Sequence, residues 1–337
     1  MFRMLLCLWI VAVSASDLDR SADDALIEEL QSLMGQEQWW PKGGNAKLPR
    51  KTWERWKQCQ QPGFPSLLRD NRTRTSVRAA HVKVMEWLVR HHRDHPRRKQ
   101  LADSIGQRLV HLGLVTHPYQ WAEVLNEQLS SFPVLDPHTD PIPWPGVAKA
   151  LQWLETNYTL LLSAFHGAAK HHRFREHPEG LHLTGLWETA YISRERCNRK
   201  SYPEVCHLLE VIDEIWPKVD EAEAMEAVLE ARFARLHPGT AVVEHTADTN
   251  QRIKIHCGIE NPSNVTMFIG HAQVCWQPGR CYLVDDSYAH HISSEDSDQP
   301  RTILELKVAH PDLVWADYLD EEDGTLVPKR SGGRSEL

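Results

Sequence analysis

The apolar positions of this chain follow two different periods. From Thr75 to about Leu129 they recur at helix-face spacing, in "VRAAHVKVMEWLVRHH", "QLADSIGQRLVHLGLV" and "YQWAEVLNEQL", which predicts a small bundle of helical hairpins. Upstream, "DDALIEELQSLMG" has the same spacing and stops at Gly35. The Pro-rich "FPVLDPHTDPIPWPG" predicts a boundary near residue 140, and "VAKALQWLETNYTLLLSAF" then reads as a strong helix. The run "LEVIDEIWPKVDEAEAMEAVLEARFARL" begins helical and crosses into a strand before "HPGT". From about Arg232 the character changes. "TAVVEH", "RIKIHCGI", "VTMFIG", "AQVCW", "CYLVDD", "HHISS" and "RTILELKVA" are short alternating runs divided by Pro, Gly, Asn and Asp. Strands at that spacing predict a sandwich or barrel of the jelly-roll kind. The class is therefore α+β. A helical region covers residues 16–139, a jelly-roll with preceding helices covers 140–320, and a flexible acidic tail covers 321–337.

One strand carries candidate chemistry. In "RIKIHCG" Ile253 and Ile255 fill one face, while Arg252, Lys254 and His256 occupy the other, with His245 just upstream. A plain sheet would turn a charged face to water. A basic, histidine-bearing face can instead line a polar cavity that holds an anion and a metal. His290 follows a different strand, and two histidines on separate strands of a closed sheet can meet at one mouth, where neutral imidazoles suit iron, copper or zinc. With 20 histidines in the chain, this pair alone does not establish a site. Arg301 opens "RTILELKV", and several cations converging on one cavity suit a small dicarboxylate, which arginine grips with paired hydrogen bonds.

The net charge of -8 argues against general nucleic-acid binding. "MFRMLLCLWIVAVSAS" has the basic, apolar and small-residue order of a secretory signal over residues 1–15, with cleavage expected after Ala15 or Ser16. Its apolar run is too short for a bilayer, so no membrane span is expected after cleavage. The final "RSEL" resembles a retention signal for the endoplasmic reticulum lumen; without retention the chain would be secreted. Cys59, Cys197, Cys206, Cys257, Cys275 and Cys281 remain in an oxidising compartment. Cys197 and Cys206 bracket one loop, and Cys275 and Cys281 flank "WQPGR", where a hairpin would bring them together; spacing does not settle the pairing. Acceptor sequons for glycosylation start at Asn71, Asn157 and Asn264.

A longer constellation is more specific. His237-Pro238-Gly239-Thr240, His245-Thr246, Thr249-Asn250, Arg252, His256, Gly279, Asp285-Asp286-Ser287, His290 and His310-Pro311 follow in order over the C-terminal part. This series resembles the aspartyl/asparaginyl β-hydroxylase family of Fe(II)- and 2-oxoglutarate-dependent dioxygenases, built on a double-stranded β-helix. The likeness runs more loosely back through "WLETNY" and "LWETAY"; the helical part has no clear counterpart. The resemblance implies that His245 and His290 hold the iron. It implies that Arg301 holds the far carboxylate of 2-oxoglutarate, that His256 lines the cosubstrate pocket, and that Arg252 contacts an acidic substrate side chain. Asp286 and Ser287 would shape the turn presenting His290, or serve turn chemistry only. Three positions depart from the broader pattern. Ala247 stands where related oxygenases place a carboxylate ligand, a gap that this subfamily shares with glycine there. Lys254 replaces an arginine, keeping charge but losing the planar fork. Arg235 is expected to crowd the pocket where animal members have a serine. The implied activity is hydroxylation of Asp or Asn side chains in secretory-pathway polypeptides. The alternative is a catalytically inactive jelly-roll binding protein acting through its N-terminal helices. A zinc hydrolase would usually need three protein ligands, and only two are found.

Overall fold

The computed structural model describes residues 71–91, 98–171, 174–178, 180–192, 203–215, 228–262, 264–294, 296–313, 317–319 and 326–328. The expected signal segment, the first helix ending at Gly35, Cys59, Cys197 and the "RSEL" terminus lie outside the described residues.

Three helices of the C-terminal part share one construction. In α3 (Pro145–Thr156) the buried positions are Val147, Ala150, Leu151 and Leu154. In α4 (Tyr158–Lys170) they are Leu161, Ala164, Phe165 and Ala168. In α5 (Pro203–Ile215) they include Val205, Leu208, Leu209 and Ile212. Each set runs i, i+3, i+4, i+7, so each helix has one apolar stripe to bury. Pro145 opens α3 at a position whose N–H would have no helical acceptor.

All three stripes share one core with a large antiparallel sheet. Its spatial order is β1 (Val134–Leu135), β10 (Cys281–Val284), β7 (Arg252–Glu260), β12 (Arg301–Ala309), β5 (Val228–Leu236), β4 (Trp187–Ile192) and β2 (Arg175–Glu176). A second antiparallel sheet has the order β3 (His182–Thr184), β6 (Ala241–His245), β11 (His290–Ser293), β8 (Thr266–Ile269) and β9 (Ala272–Cys275). Alternation assigns the faces. Ile253, Ile255, Cys257 and Ile259 of β7, with Leu304, Leu306 and Val308 of β12, pack against the helices. Ala234, Leu236, Ile303 and Tyr282 from the large sheet meet Val242, Met267, Ile269, Val274 and Ile292 from the small one. The result is a jelly-roll-like sandwich with helices on the outer face of the large sheet.

Cys257 and Cys281 are bonded to each other, as register partners on β7 and β10. The expected Cys275–Cys281 bridge is therefore corrected. The "WQPGR" segment does not close a hairpin, because β9 pairs with β8 in the small sheet while β10 belongs to the large one. Cys275 is an exposed free thiol whose sulfur lies 3.3 Å from Thr266 Oγ1. Cys206 is disulfide-bonded to a partner outside the described residues.

The N-terminal part contributes α1 (Asn71–His91) and α2 (Arg98–His111), which share a core of Val77, Val84, Met85, Leu88, Leu101, Ile105 and Trp121. "YQWAEVLNEQL" was expected to continue the helices; it is an irregular strap instead. Pro118 precedes it, and several of its backbone groups bond to the sandwich instead of forming helical turns. Trp121 N–H donates to Ser287 O at 2.9 Å, and Val124 N–H to Asp248 O at 2.8 Å. The strap leads into β1, the edge strand of the large sheet. Within the stretch read as a tail, Leu326–Pro328 (β14) pairs with Asp317–Leu319 (β13). Among the described residues no helix is long and apolar enough to cross a membrane.

Candidate metal and anion site

His245 ends β6 and His290 begins β11, and the two are register partners in the small sheet. Their ring centroids lie 4.2 Å apart. Each Nδ1 lies 2.8 Å from a backbone carbonyl, Val243 O for His245 and Tyr288 O for His290. A carbonyl can only accept, so each Nδ1 carries the proton and each Nε2 lone pair is bare. A histidine metal ligand needs that tautomer, and a carbonyl partner is one common way to fix it. Burial drives both imidazoles toward neutrality. His245 is held well below the usual histidine range by burial and then by His290, and His290 is pushed down to about 3 by burial and then by Lys254. Among the described residues no third His, Cys, Asp or Glu completes a metal cluster with them.

The turn before His290 is built by Asp285. Its Oδ1 accepts the Ser287 N–H at 3.0 Å, and its carbonyl accepts the Tyr288 N–H at 3.2 Å. Burial pushes the Asp285 carboxyl up to about 8. "DDS" thus carries turn chemistry, and Asp286 is left to face the cavity. The strap fixes both histidine loops from outside. Asn250 accepts the Asn126 N–H at 2.9 Å and donates to the Asn126 carbonyl at 3.0 Å, copying a strand pair with one side chain. Gln120 donates to Ser287 Oγ at 3.3 Å, and Ala289 N–H donates to Tyr119 O at 2.7 Å.

A cavity of about 350 Å³ opens beside His245. Its lining includes Arg252, Lys254, Asp286, Lys307, Ala247 and, from α1, Glu86. The alternation of β7 therefore does what the sequence implied, turning Arg252, Lys254 and His256 inward. Arg252 Nε is buried without a hydrogen-bond partner. His256 is buried, its Nδ1 without a hydrogen-bond partner and its Nε2 3.6 Å from the Glu305 carboxylate. Arg301 is also buried, its guanidinium 4.1 Å from the centre of the Trp276 ring and its Nε unpartnered. Burial lowers its pKa to about 9. A buried guanidinium stacked on an indole, with no carboxylate paired to it among the described residues, is a place for an anion.

Two features differ from expectation. Arg235 does not crowd this interior. Its odd place on β5 turns it to the helix side, where the guanidinium lies 5.1 Å from the Phe165 ring centre and 4.5 Å from that of Phe174. Lys254 is not a free cation: its Nζ is 3.0 Å from Asp286 and 3.4 Å from Glu305. Burial works against its charge, but those two carboxylates raise its pKa. Sequence reasoning missed Glu305. The signal was present, since Arg301, Ile303, Glu305 and Lys307 alternate along β12 as Arg252, Lys254 and His256 do along β7.

Residues 155–311 match the family described as "Aspartyl/Asparaginyl beta-hydroxylase". The rat protein "Aspartate beta-hydroxylase domain-containing protein 2" is 27% identical over 245 residues, covering 64% of this chain and 69% of its own length. Its human counterpart is 38% identical over 84 residues, covering 24% of this chain and 23% of its own length. A solved oxidoreductase of the 2OG-Fe(II) oxygenase family from Burkholderia pseudomallei overlaps 51% of this chain and 94% of its own, at 12% identity and a TM-score of 0.34.

Proposed function

This chain carries an aspartyl/asparaginyl β-hydroxylase-like domain over residues 155–311, and from that premise we propose that it is an Fe(II)- and 2-oxoglutarate-dependent dioxygenase hydroxylating Asp or Asn side chains of polypeptides. The sandwich is read as a double-stranded β-helix. The observation that carries the proposal is the histidine pair, with both Nδ1 atoms committed to carbonyls and both Nε2 atoms bare. The buried Arg301, whose Nε has no hydrogen-bond partner, adds a place for a carboxylate, with His256 buried nearby. The residues present thus fit the metal and one end of the cosubstrate.

Fe(II) with 2-oxoglutarate supplies the activation of oxygen and the transfer of one oxygen atom to a substrate C–H bond. The protein supplies position and environment. His245 and His290 would hold the metal, each oriented by its backbone carbonyl. Arg301 would take the far carboxylate, with His256 beside it. Ala247, which lines the cavity with His245, would leave room there for a metal ligand that is not protein. Arg252, at the mouth, would meet an acidic substrate side chain. The signal-like residues 1–15 and the terminal "RSEL" support substrates of the secretory pathway, with the endoplasmic reticulum lumen as the place of action.

The test is incubation of the full chain with Fe(II), 2-oxoglutarate and Asp- or Asn-containing peptides. The expected result is a mass gain of one oxygen atom on the peptide, lost in His245→Ala. Turnover that survives His245→Ala would refute the site. One observation favours the non-catalytic binding protein: Lys254 already carries carboxylates of the chain itself. Thermal stabilisation separates the two readings. A ligand at about a hundred times its Kd adds about 2.7 kcal/mol, and no shift with 2-oxoglutarate and metal together would leave the binding protein standing.

A further inference from the structure

Glu305 sits in the middle of the interior, on the inward face of β12. One carboxylate oxygen is 2.6 Å from Arg232 Nη2 and 3.4 Å from Lys254 Nζ, and the other is 3.6 Å from His256 Nε2. The register holds it there, because Glu305 is the partner of Arg232 on β5 and of His256 on β7. Its side chain is 5% exposed. Burial opposes its charge, but Arg232 and Lys254 outweigh burial and hold it ionised.

The cations of this face therefore divide into two groups. Arg232 and Lys254 answer Glu305, Lys254 answers Asp286 as well, and Lys307 lies 3.4 Å from Glu230. Arg301 and Arg252 have no carboxylate paired to them among the described residues. Along β12 the inward order is Lys307 at the cavity, then Glu305, then Arg301 behind it. Glu305 thus stands on the same face of β12 between Lys307, which lines the open cavity, and Arg301, which does not, and its charge already occupies the neighbouring cations.

We infer that Glu305 is a specificity-determining residue of this site: it is a built-in counter-ion that withholds Lys254 and Arg232 from an entering anion, leaving Arg301 as the deep anchor for its carboxylate. The inference rests on the reading of the site as a 2-oxoglutarate pocket. Removing the Glu305 charge should strengthen anion binding, and the gain should depend on the released Lys254.

The experiment titrates 2-oxoglutarate into the full chain loaded with Mn(II), a redox-quiet stand-in for Fe(II), and follows tryptophan fluorescence, to which Trp276 beside Arg301 contributes. Wild type is compared with Glu305→Gln, with Glu305→Gln combined with Lys254→Gln, and with Arg301→Ala. Glu305→Gln is expected to bind at least about tenfold more tightly, the double variant to lose most of that gain, and Arg301→Ala to bind no ligand. An unchanged or weaker affinity in folded Glu305→Gln, with Arg301→Ala still abolishing binding, overturns the role of Glu305 and leaves the cosubstrate reading intact. Failure of every form to bind 2-oxoglutarate while Mn(II) still binds overturns both. Should Glu305→Gln not fold, Glu305→Asp draws the charge away from Lys254; tighter binding supports the role, and unchanged binding overturns it.

Discussion

Replacing both Cys257 and Cys281 by alanine should lower stability without disturbing the His245–His290 pair. The bridge joins register partners on β7 and β10, is fully buried on the helix side of the large sheet, and closes a separation of 24 residues. Loop-closure entropy for a separation of that length comes to about 3.4 kcal/mol at room temperature. For a domain of this size each kcal/mol moves the transition by roughly 2–4 °C, so the double variant should melt about 7–14 °C lower. Scanning calorimetry without reductant measures this directly. His245 and His290 lie on the other sheet, so Mn(II) affinity at room temperature should stay within about twofold, as checked by titration. A fall of less than about 3 °C would refute the reasoning. So would alkylation of Cys257 and Cys281 themselves, located by peptide mapping, when the native chain is unfolded without reductant.

Burial raises the Asp285 carboxyl to about 8, so the folded chain keeps a proton that the unfolded chain releases. The resulting stability is complete below the ordinary carboxylate pKa of about 3.9 and is lost as pH rises through about 8, at up to about 1.4 kcal/mol per pH unit. Asp285→Asn retains an acceptor for the Ser287 N–H and should flatten urea midpoints measured between about pH 5 and about pH 8; parallel curves for the two proteins would count against it. Asn250→Ala leaves the Asn126 N–H without its partner, costing about 1–3 kcal/mol, and should speed hydrogen exchange at Val124 and Asn126 ahead of the sheets. Arg235→Ala should cost about 1 kcal/mol through its lost aromatic contacts and leave 2-oxoglutarate affinity unchanged; a weakened affinity would return Arg235 to the pocket.

What the sequence made legible was periodicity tied to burial. The stripes of α3, α4 and α5, and the division of β7 into an apolar and a basic face, are local patterns that packing enforces. Segments whose partners lie far away in the chain were misread. "YQWAEVLNEQL" has helical spacing, yet its backbone bonds to Ser287 and Asp248 cannot be anticipated locally. Cys275 and Cys281 are close in sequence, but adjacent strands of a jelly-roll can belong to different sheets. Arg235 was judged by its distance from His237, whereas strand parity decides its face. Glu305 lay in plain view within "RTILELKV", but its meaning came only when Arg232 and Lys254 were found against it.

The strap has a practical consequence for anyone cutting this protein down. The similarity-defined segment starts at residue 155, yet Tyr119, Trp121, Val124 and Asn126 finish the hydrogen bonding of both loops that carry the imidazoles. A fragment trimmed to the family boundary would bring those loops into solvent with raw edges. Any failure of that fragment to bind ligand would report on the scissors rather than on the domain.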